Sequence, residues 1–387
     1  MTPPFQRPAL ELADVINRHG HRLDEAISGE HRRIPQAIAS CRTAAMGGHV
    51  ETCDCCHYQR IAYNSCRNRH CPKCQASARA RRMEDREAEP LPVEYFHVVF
   101  TLPDTFNALA LANKRVAYGV LFDAVSQTLL EVAADPKHLG AKIGLMAILH
   151  TWGQNLSLHP HVHCVVPGGG LSPDGSTWIS CKPGFFLPVR VLSEVFRGKF
   201  IDGLKKARKQ GKLVGVESNA AFGRLLNASV KHDWVVYAKR PFGGPQQVLK
   251  YLARYTHRIA ISNRRLVSMN DDTVTFNYKD YAHGNRPRTM TLDGEEFLRR
   301  FLLHAVPSGF MRIRHFGLLA NRGRADNLAT CRELLAGKVP ATFTPVVPVA
   351  ATPELHRCPA CEKGRMVPGP HLSAREIERI ALRLDSS

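Results

Sequence analysis

The chain has 387 residues, 44% of them hydrophobic, and a formal net charge of +19. This length allows two or three domains with a sizeable core, so disulfide staples are not needed for folding. The charge predicts binding to a polyanion, because Lys and Arg that displace counterions from phosphates provide nucleic-acid affinity. We find no apolar run long enough to span a bilayer and no signal peptide, which disfavours a membrane partner and predicts a soluble, cytoplasmic protein.

Periodic apolar residues predict helices up to about residue 40, and a cysteine-rich stretch follows. Seven of the twelve cysteines lie between Cys41 and Cys74, which in a reducing compartment indicates metal binding rather than disulfides. The pairs Cys53-x-x-Cys56 and Cys71-x-x-Cys74 predict two knuckles around one tetrahedral zinc ion. Spacing does not settle the ligands of a second site, for which the candidates are Cys41, Cys66, His49 and His70.

Basic residues flank these cysteines, among them Arg67, Arg69 and Lys73. We therefore interpret residues 1–90 as a zinc-binding module that contacts DNA phosphates. The alternative is a module that only docks on the rest of the chain. The prolines of Pro90-Leu91-Pro92 end the module, because proline interrupts helices and strands.

Three apolar segments follow this boundary. Tyr95 to Leu102 is rich in aromatic and β-branched residues and predicts a buried strand. Residues 106–133 predict a long helix, and residues 142–152 predict a second strand. His97 is interpreted as a hydrogen-bonded core residue, with a place in a metal site as the alternative.

The next stretch, residues 158–166, carries two histidines with metal-ligand spacing. Successive side chains of a strand point to opposite faces, so His161 and His163 share one face with their Cα atoms about 6.6 Å apart. The opposite face is apolar, with Val162, Cys164 and Val166. An apolar face directed at the core can hold the imidazoles in place, and the pattern predicts a divalent-metal site.

Two imidazoles leave Mg²⁺ or Mn²⁺ without the oxygen ligands that such ions prefer, so a third ligand is expected. Gln154 lies at the end of the preceding strand and offers a carbonyl oxygen. His159 shares the face of His161 if the strand extends that far, but Pro160 predicts a strand that begins later. We rank Gln154 slightly ahead of His159, and both ahead of His97.

Residues 246–258 combine good helix formers with apolar residues at i, i+3 and i+4, and predict an amphipathic helix. Tyr251 and Tyr255 are four residues apart and therefore lie on one face, one turn apart. Alone, such a pair is an ordinary feature of a helix at the core boundary. Beside a metal site it can open a phosphodiester, because a metal polarises the phosphate and a tyrosine oxygen attacks it.

The chain beyond this helix predicts short strands between residues 259 and 292, a helix that ends near His304, and a basic segment. Arg258, Arg312 and Arg314 are candidates for contact with the scissile DNA strand.

The C-terminal part begins with residues 333–354, which are rich in Pro, Ala, Val and Thr and predict a linker. Cys358 and Cys361, with His356, then form half a zinc site. It needs a fourth ligand from elsewhere in the chain, for which Cys331 is the nearest candidate.

Five segments in this order resemble the two-tyrosine HUH transposases of rolling-circle insertion sequences, the insertion sequence ninety-one group. They are Cys66–Cys74 (CRNRHCPKC), Phe96–Pro103 (FHVVFTLP), His161-Val162-His163, the pair Tyr251 and Tyr255, and Ile313–Asn321 (IRHFGLLAN). Any one of them is weak evidence. Five in one order are specific, and they cover most of the chain.

The resemblance implies an α/β (α+β) fold with an HUH-endonuclease-like core at residues 91–325, in which a central antiparallel sheet is flanked by helices. A zinc-binding domain at 1–90 precedes it, and a linker and tail at 326–387 follow. The implied activity is nicking and rejoining of single-stranded DNA through a 5′-phosphotyrosine, with Tyr251 and Tyr255 as nucleophiles, structural Zn²⁺ and catalytic Mg²⁺ or Mn²⁺.

Two other functions fit part of the pattern. A plasmid relaxase or replication initiator would use the same site, although an initiator often adds a P-loop helicase and this sequence has no P-loop. A zinc-ribbon DNA-binding protein without chemistry would share the charge and the cysteines, but it gives no reason for the histidine strand or the tyrosine pair.

Overall fold

The computed structural model describes residues 8–23, 29–75, 91–216, 218–231, 233–242, 259–281, 283–336 and 355–384. Its strands are β1 (Gly48–Cys53), β2 (Gln59–Tyr63), β3 (Tyr95–Thr101), β4 (Gly144–Trp152), β5 (Leu158–Pro167), β6 (Gly169–Leu171), β7 (Trp178–Ser180), β8 (Val236–Phe242), β9 (Leu266–Met269), β10 (Thr273–Asp280), β11 (Arg286–Asp293), β12 (Ile313–Gly317) and β13 (Met366–Leu372). Its helices are α1 (Leu12–His19), α2 (Gly29–Ala39), α3 (Asn107–Ala112), α4 (Lys114–Ala134), α5 (Val189–Lys209), α6 (Asn219–Ser229), α7 (Gly294–Leu303), α8 (Arg324–Leu335) and α9 (Ala374–Leu384).

The chain divides into two compact units. One, which we call the cysteine unit, comprises Met1–Glu84, His257–Ala305 and Pro348–Ser387. The other, the histidine unit, comprises Asp85–Thr256 and Val306–Val347. These boundaries differ from the predicted domains 1–90, 91–325 and 326–387. The reason is that two later segments pack with the N-terminal residues. A prediction that divides the chain into consecutive domains cannot detect such a return.

Two three-stranded antiparallel sheets build the cysteine unit, with strand orders β13-β1-β2 and β11-β10-β9. Strand β13 pairs with β1 from Gly48↔Leu372 to Cys53↔Met366. A segment that the sequence predicted to be part of a tail is therefore an edge strand of the N-terminal sheet.

The segment after residue 257 also packs within the cysteine unit. The backbone N–H of Leu12 in α1 donates to Asn263 Oδ1 at 3.1 Å. Helix α7 begins at Gly294, where the buried ring of His19 leaves no room for a Cβ atom. These contacts explain why residues 257–305 belong with the N-terminus rather than with the predicted catalytic domain.

A five-stranded antiparallel sheet of order β12-β4-β5-β3-β8 forms the centre of the histidine unit. Helices α4 and α5 pack on one face of it, with Phe122, Phe196 and Phe200 fully buried in the core. Burial of each such ring contributes roughly 1.5–3 kcal/mol. The predicted central antiparallel sheet flanked by helices is confirmed.

The helix predicted over residues 106–133 is interrupted at Asn113, between α3 and α4. The Asn113 side chain donates to the Val214 carbonyl at 2.9 Å and accepts from the Val214 N–H at 2.8 Å. An asparagine that binds backbone groups in this way competes with the helical hydrogen-bond pattern. Among the described helices, α4 is long and apolar enough to cross a membrane by length and composition, but most of that stretch is buried inside the unit.

Candidate functional site

Three imidazoles meet on the sheet face opposite α4 and α5. They belong to His150 of β4 and to His161 and His163 of β5, and each offers one ring nitrogen within 4.8 Å of the others. The ring centroid of His163 lies 4.5 Å from that of His150 and 4.8 Å from that of His161. Atoms bound to one ion at about 2.0–2.4 Å lie at most roughly 5 Å apart, so the three nitrogens fit a single metal ion.

The alternation of the two strands places these rings together. Val162, Cys164 and Val166 are fully buried in the core, which directs the histidines of β5 to the other face, as predicted. Leu149 of β4 is buried in the same core, so the next residue, His150, points to the histidine face.

The hairpin between β4 and β5 sets the register that pairs His150 with His161. In its turn, the N–H of Gly153 donates to the Ser157 carbonyl at 2.9 Å. Asn155 Oδ1 accepts from the Ser157 N–H at 3.1 Å and from its hydroxyl at 2.7 Å. Such side-chain bonds to the backbone are typical of a tight turn, and this one fixes which residues of the two strands face each other.

The sequence predictions for the third member of this cluster missed His150. Gln154 lies in the turn between the two strands, and the half-exposed ring of His159 lies 3.9 Å from the Asp104 carboxylate. His97 contacts the cluster without being a member. The register of the hairpin, combined with the burial of the alternate residues of β4, would have indicated His150.

Strand β5 begins at Leu158, earlier than Pro160 led us to expect. The pairing with β4 shifts between His150 and Trp152, so two residues of β5 face one residue of β4. Pro160 therefore lies at a bulge, where the missing N–H of proline is tolerated.

Hydrogen bonds to Nδ1 orient two of the three rings. His161 Nδ1 lies 2.6 Å from the His159 carbonyl oxygen, which only accepts, so Nδ1 carries the proton and Nε2 carries the lone pair that can bind a metal. His163 Nδ1 lies 2.8 Å from His97 Nε2, with the two rings stacked at 5.0 Å. Burial, together with the nearby charge of Lys239, lowers the pKa of His97 to about 3, so His97 is neutral at pH 7.

Four cysteines form what we call the first cysteine cluster: Cys41, Cys66, Cys71 and Cys74. The Sγ atom of Cys74 lies 3.6 Å from those of Cys41 and Cys66. Ligands of a tetrahedral zinc ion with Zn–S distances of about 2.3 Å are about 3.8 Å apart, so the donor set fits zinc. Hydrogen bonds among the four thiols lower the pKa of Cys41 and Cys74, towards the thiolate form that binds metal, and raise the pKa of Cys66 and Cys71, which act as the donors.

The second cysteine cluster comprises Cys53, Cys56, Cys358 and Cys361. The predicted single site with Cys53, Cys56, Cys71 and Cys74 is therefore not what the structure contains. The physical reason is the β1–β2 hairpin: the Cys53 turn lies at its tip, whereas Cys41 and Cys66 flank its open end, roughly 17 Å away for a six-residue strand.

Four other candidates for zinc ligands lie outside both clusters, and one of them is His356, whose backbone carbonyl accepts from the Met366 N–H at 2.8 Å. His49 Nε2 lies 3.6 Å from the Glu51 carboxylate on β1, and His70 is buried with its backbone N–H bound to Asn68 Oδ1. Cys331 is buried in the histidine unit, in a small apolar core that includes Trp178.

Six basic residues were predicted to contact DNA: Arg67, Arg69, Lys73, Arg258, Arg312 and Arg314. Arg67 is exposed, and Arg69 and Arg312 are half-buried. The Arg314 guanidinium packs 4.3 Å from the centre of the Phe122 ring, and burial lowers its pKa. This packing indicates that Arg314 has a structural role. Tyr251, Tyr255 and Arg258 lie outside the described residues.

Lys73 also has a structural environment. Its Nζ atom lies 2.7 Å from the buried Glu11 carboxylate and donates to the Cys41 carbonyl at 3.3 Å. The Glu11 residue is only 5% exposed. The ammonium group thus neutralises a buried charge beside the first cysteine cluster, which differs from the predicted DNA contact.

We expect Lys73→Met to destabilise the cysteine unit, because it leaves the buried Glu11 carboxylate without this cation. Removing one partner of a buried ion pair typically costs about 3–5 kcal/mol. Denaturant unfolding of the full-length protein measures the loss, and Arg67→Met, an exposed change nearby, serves as the control and should alter stability little. Unchanged stability with weakened DNA binding in Lys73→Met would restore the DNA-contact interpretation.

Comparison with known proteins finds two family models that match different stretches of the chain. The family model described as "Putative transposase" matches residues 144–326, and the model described as "Transposase zinc-binding domain" matches residues 14–102. "Putative transposase y4qJ" of Sinorhizobium fredii is 53% identical over 378 residues, which cover 93% of this chain and 95% of that protein. "Transposase for insertion sequence element IS801" of Pseudomonas savastanoi pv. phaseolicola is 27% identical, covering 99% and 94% of the two chains.

Among solved structures, the metal-bound complex of conjugative relaxase TrwC with OriT DNA is similar over 62% of this chain and 72% of its own, with 15% identity and a TM-score of 0.26. The histidine cluster lies inside the first family match, and the first cysteine cluster lies inside the second. With a relative of 53% identity that spans nearly the whole chain, the family predicted from the motifs is confirmed. The chain belongs to the insertion sequence ninety-one family of transposases.

Proposed function

We propose that this transposase nicks and rejoins single-stranded DNA through a covalent 5′-phosphotyrosine, with a metal ion bound by His150, His161 and His163. The observation that carries the proposal is the convergence of these three imidazoles on one point of the sheet. A protein that only binds DNA has no need of such a centre, whereas phosphodiester chemistry requires charge stabilisation at the phosphate.

The donor set fits Mn²⁺ better than Mg²⁺, because imidazole nitrogen is softer than the oxygen ligands that Mg²⁺ prefers. An ion held there would polarise the scissile phosphate and offset the negative charge that builds on its oxygens. The protein supplies the geometry. His161 and His163 are each oriented through Nδ1, and the His150 ring stacks on Trp152 at 4.7 Å between centroids.

The role of Tyr251 and Tyr255 in this proposal rests on their spacing in the predicted helix. An unperturbed phenol has a pKa of about 10, so the attacking hydroxyl must lose its proton as it reacts. The new bond joins the tyrosine oxygen to phosphorus, and the bond from phosphorus to the 3′ oxygen breaks. That oxygen takes up a proton and becomes a free 3′-hydroxyl. The second tyrosine allows another cleavage while the first DNA end stays attached.

The proposed partner is single-stranded DNA at the transposon ends and target. A soluble protein would bind this DNA in the cytoplasm. The net charge of +19 supports a polyanionic partner. An uncharged or cationic ligand would gain nothing from this surplus.

An oligonucleotide experiment tests the proposal. Single strands that tile the DNA flanking the coding sequence are labelled at the 3′ end, incubated with full-length protein and Mn²⁺, and resolved on a denaturing gel. Because the protein would hold the 5′-phosphate, the 3′ label should migrate with the protein, whereas a 5′ label should appear on a shorter free strand. Cleavage in which the 3′ label never joins the protein would rule out the phosphotyrosine.

We further propose that His97 is a positioning residue for His163. A neutral His163 that binds metal through Nε2 carries its proton on Nδ1, and His97 Nε2, 2.8 Å away, accepts it. This accounts for a polar side chain in the middle of a buried strand.

Replacing His97 by leucine should weaken Mn²⁺ binding by roughly 10- to 100-fold, the usual effect of losing an outer partner of a metal-bound histidine. His97→Gln should lose less, because its amide oxygen can accept the same proton. Calorimetric titration with Mn²⁺ measures the affinity, and thermal unfolding without metal reports any general damage. Equal Mn²⁺ affinity for both variants and the wild type would show that His97 only fills the core.

A further inference from the structure

The second cysteine cluster joins parts of the chain that are far apart in sequence. Cys56 and Cys358 are separated by 302 positions, yet their Sγ atoms are 3.6 Å apart, and those of Cys53 and Cys361 are 3.7 Å apart. A disulfide has sulfur atoms about 2.05 Å apart. Thiolates on a tetrahedral zinc ion lie about 3.8 Å apart, so the observed spacing is that of metal ligands.

Backbone N–H groups point at the sulfur atoms of both turns. Those of Cys55 and Cys56 donate to Cys53 Sγ at 3.3 and 3.4 Å, and the turn with Cys358 and Cys361 makes two bonds of the same kind at 3.4 Å. Donors in this position stabilise negative charge on sulfur and orient the ligands. Both halves of the cluster are thus preorganised in the same way.

The two turns also fit closely against each other. A Cβ atom at Gly364 would lie 2.5 Å from Cys53 Sγ, so only glycine is accommodated there. Asp54 Oδ1 accepts from the Arg365 N–H at 2.7 Å, and the Asp54 N–H donates to the Arg365 carbonyl at 3.1 Å. The ladder between β13 and β1 continues from this point.

The apolar core around the cluster is small. Cys53, Cys358 and Met366 are its buried members, with Cys361 packed against them. So few buried groups provide little hydrophobic stabilisation. Zinc modules of this size obtain most of their folding free energy from the metal.

We infer that a second structural zinc ion, held by the second cysteine cluster, links the C-terminal segment to the N-terminal sheet. The segment is thereby a structural part of the cysteine unit. The family match for the zinc-binding domain ends at residue 102, so half of this site lies beyond it. The inference is independent of the proposed DNA cleavage, because none of its ligands belongs to the histidine unit.

Zinc content of the full-length protein, determined by native mass spectrometry, tests the inference. The wild type should carry one zinc ion more per chain than a variant with Cys358→Ser and Cys361→Ser. Cys55→Ser is the matched control, since it removes an exposed thiol from the same turn and should keep the zinc content of the wild type. Equal zinc content in the wild type and the double variant would overturn the inference.

A second measurement does not depend on whether the serine variants fold. A recognition sequence for a specific protease, placed between residues 340 and 347, allows the folded, zinc-loaded full-length protein to be cut. The C-terminal fragment should co-elute with the remainder in size-exclusion chromatography and dissociate when a chelator removes zinc. Dissociation with zinc still bound, or retention after metal analysis shows zinc to be gone, contradicts the proposed link.

Discussion

Replacement of both Tyr251 and Tyr255 by phenylalanine should abolish the covalent protein–DNA adduct and lower strand cleavage by on the order of 10⁴-fold or more, the scale of losing an enzyme nucleophile. Phenylalanine keeps the ring and has nearly the same helix propensity as tyrosine, so the predicted helix is preserved while the attacking oxygen is lost. Denaturing gels with 3′-labelled single strands measure the adduct. Each single variant should still form it through the remaining tyrosine, but should fail in complete transposition.

Tyr237→Phe is the matched control for these variants. Tyr237 of β8 is exposed and pairs with Val99, which pairs in turn with His163, so it lies on the histidine face two strands from the cluster. Adduct formation should survive its replacement. If Tyr237→Phe abolished the adduct and the double variant retained it, the nucleophile would be Tyr237 and the assignment to the predicted helix would be wrong.

Replacement of His150 by alanine should weaken Mn²⁺ binding by more than roughly 100-fold, because one of three nitrogen ligands disappears. This effect is larger than the one expected for replacing His97, which only supports a ligand through a hydrogen bond. Strand cleavage at limiting Mn²⁺ should fall in parallel, and a high Mn²⁺ concentration should restore part of it. Calorimetry measures the affinity, and the gel assay measures cleavage across a range of Mn²⁺ concentrations.

Gln154→Ala and His159→Ala are the controls, since both residues were expected from sequence to complete the site. Neither belongs to the imidazole cluster, and we expect each to change Mn²⁺ affinity severalfold at most. Loss of Mn²⁺ binding in either of them, together with normal binding in His150→Ala, would show that the altered residue is the third ligand and that His150 is not.

The part of this site that could be predicted from sequence is the part encoded locally. His161 and His163 follow from strand alternation alone, and their apolar neighbours are buried as that alternation requires. His150 depends on the register between two strands, and the register depends on hydrogen bonds within a turn. A pattern along one strand contains no information about that alignment.

The cysteines show the same limit over a longer range. Four of the first eight candidate zinc ligands proved to form the first cluster, but nearness in sequence wrongly joined Cys53 and Cys56 to Cys71 and Cys74. The hairpin between them separates the pairs in space, and the true partners of Cys53 and Cys56, which are Cys358 and Cys361, lie in the turn before β13. Only the folded structure reveals that the chain returns after three hundred residues.

The separation of its two halves in sequence also determines when the second cysteine cluster can form during synthesis. A ribosome adds about 5–20 residues per second, so the 302 positions between Cys56 and Cys358 take roughly 15–60 s to make. During that interval the nascent N-terminal sheet has neither its third strand nor half of its sulfur ligands, and contacts of such separation form slowly even afterwards. A chain released before residue 358 can never complete the cluster, so only full-length transposase can close its own cysteine unit.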